Sequence, residues 1–233
     1  MANEEKDFEP FVTSLTKILN QLQCGTVYFV VDKVSKDRTL EICNQLSQHD
    51  KRFVTVWAPE NKNVVDAYMR GYKEAFKNNH DFIIEMDAGL SHDPDSIPAF
   101  LTALTKDGYE CAFGSRFIKG GSIKDSNWKR TFLSRSGTVL SNVLLGSKMR
   151  DMTSGFQGFH RSIVEKFLNR PLLSKAHFYQ TELRYLLRKT RYVEIPIHYK
   201  APSPSVSKKA IMNSFDVLFH YFFLRLKFKA DAL

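Results

Sequence analysis

The chain has 233 residues, 43% of them apolar and 25% charged, which is the balance of a globular domain with a sizeable core and excludes bulk disorder. Lys and Arg outnumber Asp and Glu 34 to 25, a net charge of +9, so the surface favours anions such as nucleotide phosphates or an acidic membrane face. Nucleic acid is not the expected partner, because its footprint of basic residues interleaved with aromatics on one face is absent and the basic residues fall in short motifs instead.

In chain order, residues 26–32, 53–58, 81–87 and 110–115 are short β-branched or aromatic runs that read as buried strands. Between them, residues 37–49, 63–78 and 93–105 carry three- and four-residue apolar spacing with Asp or Asn near the start as a cap. This alternation predicts an α/β fold, an open and mostly parallel sheet covered by helices. A further helix is predicted over 127–145. Residues 202–208, rich in Pro and Ser, form a turn-prone break that divides the chain into 1–200, the α/β domain, and 201–233, a loop and a last amphipathic helix. Cys24, Cys43 and Cys111 form neither a C-x-x-C pair nor an even set, and residues 1–7 are polar and acidic where a secretory leader is basic and then apolar. The expected location is therefore a reducing, cytoplasmic compartment.

Ligands of an open α/β sheet bind beyond the carboxyl ends of its strands, and Asp32 and Asp87 both stand at such ends. Five segments follow in order: Asp32-Lys33-Val34-Ser35-Lys36-Asp37-Arg38-Thr39; Asp87-Ala88-Gly89; Gly114-Ser115-Arg116-Phe117-Ile118-Lys119-Gly120-Gly121; Arg130 with Ser134 one helical turn on; and Arg150-Asp151-Met152-Thr153-Ser154-Gly155-Phe156. Together they resemble the dolichol-phosphate-mannose-synthase-like branch of the family 2 glycosyltransferases, over about residues 3–209. The resemblance implies a GT-A, Rossmann-like fold. It also implies an inverting transfer of mannose or glucose from a nucleotide-diphosphate sugar to a polyprenyl or dolichyl phosphate.

On that resemblance Asp32, Asp37, Asp87, Ser207 and Lys208 face the donor, while Arg116, Arg130, Ser134 and Glu182 face the acceptor. Asp87, Arg116, Arg130 and Ser134 form the catalytic set. Guanidinium forks suit the acceptor phosphate because they present permanently charged paired donors. Asp37 carries a second reading as a helix cap, and Glu182 one as a surface residue of a helix. Asp87 is the expected ligand of a divalent metal, Mg²⁺ or Mn²⁺, that bridges the donor diphosphate.

Three departures from the family pattern fall on the donor side. Asn3-Glu4 resembles the end of the family's opening Y-N-E, so the family's first strand is expected to be missing. Gly89 replaces the second acid of D-x-D, which predicts weak metal binding. In the 202–208 loop only Ser207 and Lys208 match. These departures give an alternative reading, a catalytically impaired relative that retains lipid-phosphate or partner binding. Finally, residues 211–228 place Phe215, Leu218, Phe219, Phe222, Phe223 and Leu226 at helical spacing among charges, too short and too polar to span a bilayer. They read either as a helix lying on a peripheral membrane surface or as one that packs on the core or forms a dimer.

Overall fold

The computed structural model describes residues 1–124, 128–200, 207–229 and 232–233, with the side chains of Lys129 and Arg130 outside that description. α1 (Phe8–Leu22) precedes β1 (Val27–Val31), α2 (Thr39–His49), β2 (Phe53–Trp57), α3 (Val64–Lys77) and β3 (Phe82–Glu85). A single 3-10 turn, Pro94–Ser96, leads into α4 (Ile97–Thr105), followed by β4 (Cys111–Ser115), β5 (Ser122–Lys124) and α5 (Trp128–Leu145). The remainder is β6 (Gln157–His160), α6 (Arg161–Leu168), α7 (Tyr179–Leu186), β7 (Tyr192–Pro196), β8 (His198–Lys200) and α8 (Lys208–Leu226).

The four strands and four helices expected from periodicity are all present, each within a few residues of its expected bounds. Their ends follow local chemistry. Asn63 Oδ1 accepts the N–H groups of Val65 and Asp66 to start α3, and the Asp93 carboxylate accepts from Asp95 N–H at the 3-10 turn; both are ordinary caps.

β1 pairs with β2 in parallel, and the four-stranded sheet has the order β3-β6-β4-β7. β4 and β7 are parallel, while β6 runs antiparallel to both of its neighbours. Among the described residues no strand joins β1 to β3; α3 packs on both. β5 and β8 form a separate parallel pair.

The main core lies between the four-stranded sheet and the helices around it, and includes Tyr72, Phe113, Phe159, Phe167 and Leu183. A second cluster under α1 joins Phe8, Phe11, Leu15 and Leu19 to Phe29 and Phe53. The three- and four-residue spacing of those α1 positions is that of one helix face.

α8 belongs to the main core. Val217, Leu218 and Tyr221 are buried in it, and the Tyr221 hydroxyl donates to Glu182 Oε1 at 2.8 Å. The last helix is thus no detached appendage, and its apolar residues divide between an inner face that packs and an outer face that is open.

Candidate active site

Strand direction gathers the motifs. Asp87 follows the carboxyl end of β3 and Arg116 that of β4. β6 lies between these strands with Gln157 opposite both Glu85 and Phe113. Because β6 is antiparallel, residues 150–156, which enter it, emerge at the same end as Asp87 and Arg116. A wholly parallel sheet would have put them at the opposite edge.

Asp87 sits at the centre of this end, its side chain 29% exposed. The Tyr68 hydroxyl donates to its Oδ1, and its own N–H donates to His92 Nδ1 at 3.1 Å. Since Nδ1 accepts, the proton of His92 is on Nε2, and burial lowers the pKa of the ring. The 3.9 Å approach of Nδ1 to Asp87 Oδ2 is therefore a neutral contact and not an ion pair. A Cβ at Gly155 would stand 3.3 Å from Asp87 Oδ1 and 2.2 Å from Gln180 Nε2. Only glycine lets the 150–156 segment come this close to the acid.

The donor-side turn is tied to the first residues of the chain. Asn3 N–H donates to Ser35 Oγ, Lys36 N–H to Asn3 Oδ1, and Glu4 N–H to Thr39 Oγ1. Asp32 closes a turn by accepting from Val34 N–H at 2.9 Å. Asp37 receives Thr39 N–H, Thr39 Oγ, Ser35 Oγ and Glu5 N–H; desolvation pushes its pKa up, but these bonds outweigh it and hold the carboxyl down to about 2. Asp37 thus ties the turn before α2 to residue 5 and to the first residue of the helix.

Arg116, expected on the acceptor side, is buried and already paired. Its Nε and Nη2 form a fork with Asp151 at 2.7 and 2.8 Å, and Nη2 also donates to Thr153 Oγ. A phosphate reaching Arg116 has to share it with Asp151. Arg130 falls within α5, but its side chain lies outside the described residues. Ser134, one turn along the same helix, is half-buried.

One expectation needs correction. Glu182 is neither a surface residue nor open to an acceptor. It is fully buried, and its carboxylate takes the N–H groups of Leu173 and Ser174 and the Tyr221 hydroxyl, fastening α7 to α8 and to the preceding loop. Its place in a helix gave no sign of this, because all three donors are distant or irregular. Ser207 caps α8, its Oγ accepting from Ala210 N–H at 3.2 Å, and Lys208 begins that helix exposed; residues 201–206, the rest of the expected loop, lie outside the described residues.

Sequence reasoning missed Tyr68, His92 and Gln180, which no motif marks and which only the fold brings to Asp87. It also missed the place of Glu4. A Cβ at Gly89 would fall 2.4 Å from Glu4 Oε2, so the Glu4 carboxylate occupies the space beside the position that lacks its acid. Burial, and then the Asp7, Asp87 and Asp37 carboxylates, raise the Glu4 pKa against the opposing pull of the amino terminus. Among the described residues no three His, Cys, Asp or Glu side chains are grouped as a metal cage. Two carboxylates, Asp87 and Glu4, do fit a hard cation that takes its other ligands from water and substrate phosphates.

A sheet with this strand order, acids at its carboxyl edge and one antiparallel insertion defines a GT-A-type α/β glycosyltransferase. The fold is shared with glucosyl-3-phosphoglycerate synthase from Mycobacterium tuberculosis: the complex with UDP aligns at TM-score 0.69 and 15% identity over 96% of this chain and 78% of that one. The complex with Mn²⁺, UDP and phosphoglyceric acid aligns at TM-score 0.67 and 16% identity over 97% and 75%.

The profile of Glycosyl transferase family 2 matches residues 1–168, and the chain belongs to that family. It is 30% identical to the polyprenol monophosphomannose synthase of Mycolicibacterium smegmatis over 84% of this chain and 75% of that protein. It is also 30% identical to the dolichol-phosphate mannosyltransferase of Pyrococcus furiosus over 94% of this chain and 60% of that enzyme, so it spans well under the full length of the second relative.

Proposed function

We propose that the chain is an inverting hexosyltransferase that moves mannose from a nucleotide-diphosphate sugar to a polyprenyl phosphate. The observation that carries this reading is the position of residues 150–156, with Gly155 against Asp87 and Asp151 and Thr153 on Arg116, so that one segment separates a donor acid from an acceptor cation. The names of the two relatives at 30% identity supply the sugar and the lipid.

Asp87 would hold a divalent metal, which would supply charge neutralisation at the diphosphate leaving group. The acceptor phosphate is already an anion, so the reaction needs placement more than a base. Arg116 lines that placement from the sheet and Arg130 and Ser134 from α5, while Tyr68 fixes the rotamer of Asp87 by its hydrogen bond.

Arg130→Ala is the direct test. It is expected to weaken polyprenyl-phosphate binding by one to two decades, the worth of a charged hydrogen bond of roughly 1.5–3 kcal/mol, and to leave nucleotide binding unchanged. Equal lipid-phosphate affinity in parent and variant refutes the assignment.

Such an acceptor lies in a membrane, and a second feature suits that location. α5 and α8 pack side by side, and their outer faces expose Trp128, Phe132, Val143, Phe215, Phe219 and Phe223. Among the described residues no helix is long and apolar enough to cross a bilayer. An open apolar face of this kind suits docking in the headgroup region, with Lys208, Lys209, Lys227 and Lys229 adding on the order of 1 kcal/mol each at an anionic surface. Arg225 is engaged elsewhere: its Nη1 donates to the carbonyls of Val143 and Leu144 at the end of α5. Deleting α8 would remove core residues, so substitutions on its outer face make the cleaner experiment. Phe219→Glu with Phe223→Glu is expected to abolish co-sedimentation with phosphatidylserine vesicles at an unchanged melting temperature, and salt should weaken the parent's binding. Equal sedimentation of both proteins counts against the docking face.

A further inference from the structure

We propose that Glu4 supplies the second carboxylate of the donor-metal site, in place of the side chain that Gly89 lacks. The inference rests on the metal reading above and adds to it the residue that completes the site.

Three observations converge. The carboxylate of Glu4 stands where a side chain at Gly89 would begin, 2.4 Å from the ideal Cβ position. Its backbone is fixed there, since Glu4 N–H donates to Thr39 Oγ1 at 2.8 Å and its neighbours Asn3 and Glu5 bond to Ser35 and Asp37. Among the described residues the Glu4 carboxylate accepts no direct hydrogen bond from the end of the sheet, while Asp37, the other acid of that turn, has both oxygens occupied by its own chain. The Glu4 carboxylate beside Gly89 lies against the turn that carries Asp87 two residues earlier, and a pair of oxygen-donor carboxylates on one turn suits a hard cation that draws its remaining ligands from the diphosphate and water.

The same geometry reverses a simple expectation from sequence. Restoring the family's acid with Gly89→Asp does not by itself repair the site. Gly89 has φ +80°, a conformation strained for side chains, and the new Cβ would meet Glu4. The replacement displaces the Glu4 carboxylate, and shortening Glu4 removes that conflict.

The test is calorimetric titration of the full chain with GDP and with UDP, each with Mn²⁺ and with EDTA. In the parent, Mn²⁺ is expected to tighten binding of at least one nucleotide. Glu4→Gln, which keeps the shape of the side chain, should cut that tightening by on the order of tenfold or more and leave affinity in EDTA unchanged. Gly89→Asp alone should give no gain, and Glu4→Ala with Gly89→Asp should recover tightening that Glu4→Ala lacks. A Glu4→Gln variant with the parent's full Mn²⁺ response overturns the role of Glu4 while leaving the metal reading intact. A parent with no Mn²⁺ response overturns both. Loss of affinity in EDTA as well as in Mn²⁺ makes Glu4 a nucleotide contact and also overturns the proposal.

Discussion

Asp151→Asn is expected to lower the stability of the fold by about 3–5 kcal/mol, the usual cost of leaving buried charge without its partner, seen as a lower denaturant midpoint at an unchanged slope. Asp151 is fully buried, and so is Arg184. Arg116 grips both carboxylate oxygens and adds its backbone N–H at 3.0 Å. Arg184 donates to the Asp151 carbonyl and to those of Gly114 and Ser154. Burial alone would raise the Asp151 pKa, but the Arg116 hydrogen bonds and charge overcome that and hold it down to about 2. A depressed carboxyl contributes stability above its ordinary value of 3.8 and loses it as pH falls toward 2, so the whole effect is present at neutral pH. Asparagine keeps the volume and removes the one negative charge between two guanidinium groups.

A loss below about 1 kcal/mol, the level of an exposed pair, would show that solvent reaches this cluster and that the account of it is wrong. The double variant Arg116→Met with Asp151→Leu separates charge from packing. Replacing both partners by apolar groups is often close to neutral, so the pair is expected to recover a substantial part of what Asp151→Asn loses. The ion pair is thus expected to fix Arg116 in place more than to add stability.

The cluster also shows what was legible in the sequence. Runs such as 26–32 and 81–87 gave the strands, and strand ends gave the places of Asp32 and Asp87, because an apolar run stopping at an acid is a local signal. The order of the motifs gave the family and the GT-A fold. What stayed hidden depends on pairing between distant segments. The antiparallel sense of β6, which carries residues 150–156 to the end of the sheet where Asp87 and Arg116 lie, is a matter of sheet partners and leaves no periodicity in four residues. Asp151 could be seen as a motif letter, but its fork with Arg116 spans 35 positions. The place of Glu182, read as an acceptor residue on the resemblance or as a surface acid of a helix, stayed hidden because its donors, Leu173, Ser174 and Tyr221, lie in the preceding loop and in another helix. Glu4 and Gly89 lie 85 positions apart and were read as separate losses, although the fold sets one against the other.

Glu85 is expected to give the chain an uncommon pH dependence, with stability falling as pH rises from about 4.5 toward 7. It lies at the end of β3, two residues before Asp87, and accepts from the hydroxyls of Tyr72 and Tyr179 and from Gln157 Nε2. Burial raises its pKa to about 7, outweighing those hydrogen bonds. A carboxyl whose folded value is raised stabilises fully below its unfolded value and loses that contribution as pH climbs through the folded one. The gap between 4.5 and about 7 is worth about 3 kcal/mol. The neutral acid needs an acceptor for its proton. Turning the Gln157 amide provides one, since Gln157 Oε1 has no hydrogen-bond partner among the described residues and amide orientation is assigned from the network. Glu85→Gln removes the titration and keeps the shape. The stability of this variant minus that of the parent should therefore rise by about 3 kcal/mol between pH 4.5 and 8, with His92, whose lowered pKa acts in the opposite direction, cancelling in the difference. A difference that stays flat across that range would mean that Glu85 is ionised in the folded protein at every pH tested, and that the two tyrosines and Gln157 suffice to hold a buried charge two residues from Asp87.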